Sequence, residues 1–299
     1  MSNHRLACGS HPLRILFAAF FVIPTSALAF TPAAIDFPGA RDTFAYGINP
    51  KRDIVGAYDD AGSNSHGFLL HDGTFTSIDF PGASFTVAFA INPQGDVAGY
   101  YIPIGGRCLI DAHGFVLHQG TFTTIDFPGA ARTQAFGINE QGDIVGFYDL
   151  PGDVCSPFPP PRPFHGFVLH QGTFTAIDFP SAFLTEALGI NSKGDIVGSY
   201  NDGGSHGFVL HKGTFATIDP PGALFTEAHG INPKGDIVGL YGANGPSGFG
   251  AHGFLLHRET FTAIDFPGAA NTFGFGINPQ GDVVGGYLDA ASFSHGFRE

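Results

Sequence analysis

Six times along the chain a Thr and an Ala or Gly bracket one variable residue. The six are Phe44, Val87, Gln134, Glu186, Glu227 and Phe273. Two residues further on come Tyr46, Phe89, Phe136, Leu188, His229 and Phe275. Glu186, Glu227 and His229 break these two columns and are the residues that could do chemistry. Two carboxylates and an imidazole that converge can serve as general acid and base in cleavage of a carbohydrate or lactone. They can also hold a divalent cation through oxygen and nitrogen, or simply be solvated. No resident cofactor is expected beyond that cation, and no dedicated metal site.

A second set recurs in every copy. His66, His113, His165, His206, His252 and His295 each open a His-Gly-Phe run. Asp79, Asp126, Asp178, Asp219 and Asp265, with Asp36 upstream of the first copy, follow an Ile. If His211 faces Thr214 across a two-residue turn, then His206 faces Asp219. The same count pairs His66 with Asp79, His113 with Asp126, His165 with Asp178, His252 with Asp265, and His295 with Asp36. Each imidazole then has its own carboxylate, which marks the set as structural rather than metal-binding.

The elements that carry these residues are short strands. The copies are 41 to 52 residues apart, a period typical of solenoids, propellers or arrays. One copy divides into Thr185–Asn191, Asp195–Tyr200, His206–His211 and Thr214–Asp219. These runs are rich in Val, Ile, Phe and Thr and bounded by turn residues. Ser192-Lys193-Gly194 predicts a hairpin loop closed by a left-handed glycine, a place where Arg52 alone departs from Gly. No 3.6-residue period marks a helix. The pattern predicts an all-β fold, a six-bladed β-propeller of four-stranded blades over residues 30–299. The repeats begin on a fourth strand and end within a third. Pairing the N-terminal strand with the C-terminal blade would close the ring.

The run Ala-x-Gly-Ile-Asn-x-x-Gly-Asp-Ile-Val-Gly, followed by His-Gly-Phe-Val-Leu-His-x-Gly-Thr-Phe-Thr, resembles the bacterial extracellular HAF-type repeat. Gly stands here in place of the Ala of His-Ala-Phe in all six copies. The resemblance covers essentially the whole repeat region and implies an exported repeat protein. It brings no catalytic residues with it.

Residues 1–29 read as a signal peptide, with Arg5 and Arg14, an apolar core from Ile15 to Ile23, and Ala27-Leu28-Ala29 before the cut. A secreted or periplasmic protein without a membrane span is expected, and a monomer. In that compartment Cys108 and Cys155, in matching loops of consecutive copies, are candidates for a disulfide. The chain carries a net charge of −13 and no basic run, which argues against nucleic acid and anionic membranes. With 33 Phe and no Trp, aromatic packing falls to Phe.

Further binding candidates lie near the same end of the inner strands. They are Gln134, Arg41 and Arg132, together with Tyr100 and Tyr101 and the Pro-rich insertion 149–163. No Gly-x-Ser-x-Gly, His-Glu-x-x-His, phosphate loop or Cys-x-x-Cys occurs. Three functions stay open: a binding module for a small molecule, glycan or extracellular protein; a hydrolase or lyase on a carbohydrate or lactone; and a structural repeat protein.

Overall fold

The computed structural model describes residues 32–106, 111–151, 163–242 and 250–299. The signal-peptide segment, Cys108, Cys155 and most of the Pro-rich insertion lie outside the described residues.

The chain opens with β1 (Ala33–Ile35). A first group follows: β2 (Asp42–Ile48), β3 (Ile54–Asp59), β4 (Ser65–His71) and β5 (Thr74–Ile78). The second holds β6 (Ala83–Ile91), β7 (Val97–Pro103), β8 (His113–His118) and β9 (Thr121–Ile125). Next come β10 (Arg132–Ile138), β11 (Ile144–Asp149), β12 (His165–His170) and β13 (Thr173–Ile177). Then β14 (Leu184–Ile190), β15 (Ile196–Asn201), β16 (Ser205–His211) and β17 (Thr214–Ile218), the copy divided above, within one or two residues at most ends. The last two groups are β18 (Phe225–Ile231), β19 (Ile237–Gly242), β20 (Ala251–His257) and β21 (Thr260–Ile264), and β22 (Asn271–Ile277), β23 (Val283–Leu288) and β24 (Ser294–Arg298).

Within a group, neighbours in sequence pair antiparallel. The expectation of six separate four-stranded sheets needs correction. Among the described residues four sheets have four strands, and a fifth has eight. In the fifth a single parallel pair, Ser205 with Phe225, ties β16 to β18. β1 pairs antiparallel with β24, Ala34 opposite Phe297.

The turns follow from their residues. Asp72 and Gly73 both have positive φ, 46° and 76°, as a type I′ hairpin requires. Arg52, the non-glycine in its column, adopts the same left-handed backbone at φ 69°, and its guanidinium reaches Asp282 at 2.9 Å.

The core lies between adjacent sheets. Val55 and Ile78 of the first group share one cluster with Ala88, Ile91, Val97 and Phe115 of the second. The Phe of each His-Gly-Phe run is fully buried: Phe68, Phe115, Phe167, Phe208, Phe254 and Phe297. A side chain on Gly56 would run into the carbonyl oxygen of Phe44 and the ring of Phe68, so this tight contact between strands demands glycine. Among the described residues no helix is long and apolar enough to cross a membrane.

Candidate functional site

The first strand of each group lines a central cavity of about 100 Å³. Each of these strands carries a bulge at the same place, for example between Ala45 and Gly47 in β2 and between Ala228 and Gly230 in β18. A bulge leaves one residue unpaired and re-aims its side chain. The unpaired residues are Tyr46, Phe89, Phe136, Leu188, His229 and Phe275, and all six line the cavity. Their rings form a nearly continuous belt. Centroids lie 4.3 Å apart for Phe89–Phe136, 4.6 Å for Tyr46–Phe89, 5.0 Å for Tyr46–Phe275 and 5.1 Å for His229–Phe275.

Towards the start of these strands the surroundings divide into two halves. The aromatic half holds Phe44, stacked on Tyr46 at 5.8 Å, and Phe273, stacked on Phe275 at 6.0 Å. The polar half holds Gln134, Glu186 and Glu227 on β10, β14 and β18. A cavity of about 380 Å³ runs along the aromatic half and reaches the polar half at Glu227, lined by Phe44, Tyr46, Phe225, Glu227, His229, Phe273 and Phe275 among others.

The structure brings Glu186, Glu227 and His229 together. His229 Nε2 lies 3.1 Å from Glu227 Oε2, and Ser199 Oγ donates to Glu186 Oε2 at 2.9 Å. Burial, and then repulsion from Glu227, push the Glu186 carboxyl up to about 7. The Ser199 hydrogen bond, His229 and Arg132 pull the other way and lose. Gln134, on the neighbouring strand, is 4 % exposed. Among the described residues no group of three or more His, Cys, Asp or Glu is placed to hold a metal ion.

The other binding candidates are placed differently. Arg41 is exposed and bound to Asp42 at 2.6 Å, Ser63 at 2.9 Å and Asp59 at 3.1 Å. Arg132 packs its guanidinium over Phe164 and Phe147 and meets Asp149 at 3.4 Å. Tyr100 is buried with Ala57, Val87 and Ile102 beside the inner strands. Tyr101 points away, into the core between sheets. It stacks on Phe80 at 3.6 Å and reaches Thr124 at 3.1 Å. The same stack recurs as Phe37–Tyr58, Phe127–Tyr148, Phe179–Tyr200 and Phe266–Tyr287. Tyr101 is therefore a repeat residue, contrary to its inclusion among binding candidates.

The recurrent histidines bond their aspartates through Nδ1. Distances are 2.7 Å for His66–Asp79, 2.9 Å for His113–Asp126 and 2.8 Å for His165–Asp178. They are 2.7 Å for His206–Asp219 and His252–Asp265, and 2.8 Å for His295–Asp36.

A second lattice escaped the sequence analysis. Asn49 accepts from the backbone of Lys51 and Asp53 and donates to the Asp53 carboxylate at 2.8 Å, which His71 also reaches at 2.6 Å. Burial pushes Asp53 up, but the hydrogen bonds from His71 and Asn49 outweigh it and hold the carboxyl below its usual range. The same Asn also donates across to the carbonyl of Asn92, and Asn139, Asn191, Asn232 and Asn278 repeat that step to the next group. The signal was present as an Ile-Asn in all six copies.

No family model matches the chain, and none of the curated proteins matches it. Solved structures do. A TolB-type protein from Agrobacterium tumefaciens superposes with a TM-score of 0.58 at 12% identity, over 86% of this chain and 91% of that one. A mutant of AofleA from Arthrobotrys oligospora gives 0.55 at 12% identity, over 90% and 86%. The fucose-specific lectin from Aleuria aurantia gives 0.52 at 12% identity, over 86% and 91%. Together with the propeller domain of a protease from Pyrococcus furiosus, at 0.50, these likenesses identify the fold: the described chain is an all-β propeller with four-stranded blades.

Proposed function

We propose that this chain is a propeller binding module that takes a small molecule at the mouth of its central channel. One observation carries the reading. A cavity of about 380 Å³ sets Glu227 and His229 against a wall of Phe44, Phe225, Phe273 and Phe275. Concave, mostly apolar sites with a few convergent polar groups are where small ligands bind. Two of the residues that break the sixfold pattern, Glu227 and His229, line this cavity, and Glu186 lies close enough to feel the charge of both. The motif resemblance and the N-terminal export pattern are compatible with this role outside the cytoplasm. One of the similar structures is a lectin, so a glycan belongs among the ligands to try.

The same reading includes the architecture of the ring. Counting the eight-stranded sheet as two blades joined at one residue pair gives six, and β1 supplies the outer strand of the last. Bonds between the first and last groups support closure: Asn278 to the carbonyl of Asn49, Gln280 to that of Pro50 at 3.3 Å, and Ser294 N to Asp42 at 2.9 Å.

A second reading, hydrolysis or elimination on a carbohydrate or lactone, has one observation in its favour. A carboxyl raised to about 7 beside a Glu–His pair could supply both an acid and a base.

The test is a melting-temperature panel of neutral saccharides, lactones, carboxylates and amines, run on wild type and on Ser205→Trp, which fills the cavity from its wall. Ligand at a hundred times its dissociation constant stabilises the folded state by about 2.7 kcal/mol. We expect at least one shift that Ser205→Trp abolishes while still melting cooperatively by itself. No shift from any compound, or shifts that survive the plug, would overturn the reading. Turnover of a saccharide or lactone lost in Glu186→Gln would favour the second.

A further inference from the structure

We infer that the mouth selects an organic monocation, an alkyl- or arylalkylammonium whose N–H groups meet Glu227 and whose apolar body lies against Phe44, Phe273 and Phe275. This rests on the binding reading above and names the ligand's chemistry. Four observations lead to it.

The first is the acceptor. Glu227 is 37% exposed in its side chain, on the cavity wall. Among the described residues its side chain bonds only His229 Nε2, leaving carboxylate lone pairs for a donor. The second is a neighbouring polar group with no use of its own. Gln134 occupies on β10 the place that Glu186 and Glu227 occupy on β14 and β18, is 4 % exposed, and makes no side-chain hydrogen bond among the described residues. Neither of its amide atoms is both buried and unpaired, and Gln134 does not line the cavity, so it adds a neutral polar side chain near the carboxylates rather than a contact the ligand must make.

The third is local charge. Two carboxylates face one imidazole, and the nearby cations are already engaged, Arg132 with Asp149 and two Phe rings, Arg41 with Asp42 and Asp59. The repulsion between Glu186 and Glu227 is relieved by a positive charge beside them. An anionic ligand would deepen it. The fourth is the wall. Phe44, Tyr46, Phe273 and Phe275 form a connected set of rings, with Phe44 and Phe275 6.5 Å apart. Aromatic faces carry negative charge and attract ammonium groups. A calcium ion needs six to eight oxygen ligands, which a wall of Phe and Leu240 does not offer. The cavity of about 380 Å³ suits a body the size of one aromatic ring and a short chain.

The experiment is calorimetric titration of the full chain at pH 8 with phenethylammonium chloride, 2-phenylethanol and phenylacetate, on wild type and Glu227→Gln. These probes share a body and differ in the head group. We expect the ammonium to bind at least about tenfold tighter than the alcohol, the scale of one charge-assisted hydrogen bond, and the carboxylate more weakly still. Glu227→Gln should remove that advantage, bringing the ammonium's affinity down to that of the alcohol. If the alcohol or the carboxylate binds as well as the ammonium, or the ammonium ignores Glu227→Gln, the mouth still binds small molecules but does not select cations, and this inference falls alone. If phenethylammonium does not bind, the inference falls as well, and the plug variant decides the fate of the binding reading separately.

Discussion

Glu186 is the residue whose chemistry departs furthest from its type. Its carboxyl is raised to about 7 by burial and by Glu227, against about 4.3 in an unfolded chain. The folded state therefore holds a proton that the unfolded state has released between pH 4.5 and 7. Stability falls as pH rises through that window, because the folded state binds more protons. Glu186→Gln has no charge to bury. At pH 8 it should be more stable than wild type by roughly 3–4 kcal/mol, since a tenfold change in proton affinity is worth about 1.36 kcal/mol. The gap should close below pH 4.5. Chemical denaturation of both proteins at pH 4.5 and 8 measures this, and equal gaps at the two pH values would contradict it. Glu186, Glu227 and His229 stand out in the sequence because each breaks a sixfold column. Tyr101 was misassigned although its own column, Tyr58, Tyr148, Tyr200, Tyr241 and Tyr287, already marks it as structural. Tyr100 is the one that departs, where the other copies carry Ala57, Phe147, Ser199, Leu240 and Gly286.

Among the elements, strand identity and turn chemistry were readable. Alternation of Val, Ile, Phe and Thr between glycine-bearing turns places every strand of the copy from Thr185 to Asp219 to within one or two residues. The bulge in each inner strand was not. It adds one unpaired residue without changing composition or hydrophobic pattern, yet it puts Tyr46 and His229 on the cavity wall. The Asn lattice was also missed: an Ile-Asn recurs in all six copies, but a repeated dipeptide does not say that its side chain bonds a group more than forty residues away. β1 allows a direct test of closure. Ile35 is buried with Ala45, Ile48, Ile54, Phe68 and Val284, residues of the first and last groups. Ile35→Ala should cost about 2–5 kcal/mol, the range for a buried Ile truncated in a packed core. Denaturant melting that changes by less than about 0.5 kcal/mol would mean that β1 does not hold the last group in place.

At the scale of the molecule, six near-copies make a frame whose repeated residues serve the frame itself. The His–Asp pairs, the Phe–Tyr stacks and the Asn lattice all recur, and each is accounted for by packing or bonding between strands. What remains on the cavity-lining strands is Gln134, Glu186, Glu227 and His229, which do not recur and lie beside an aromatic half. The lectin and TolB-type likenesses speak to the fold alone at 12% identity, so function rests on that one place. The most direct measurement is a crystal structure of the protein soaked with the compound that gives the largest melting shift. The account predicts difference density in the cavity bounded by Phe44, Glu227, Phe273 and Phe275. Density on the outer face, among the His–Asp pairs or between outer strands, with the mouth empty, would contradict it.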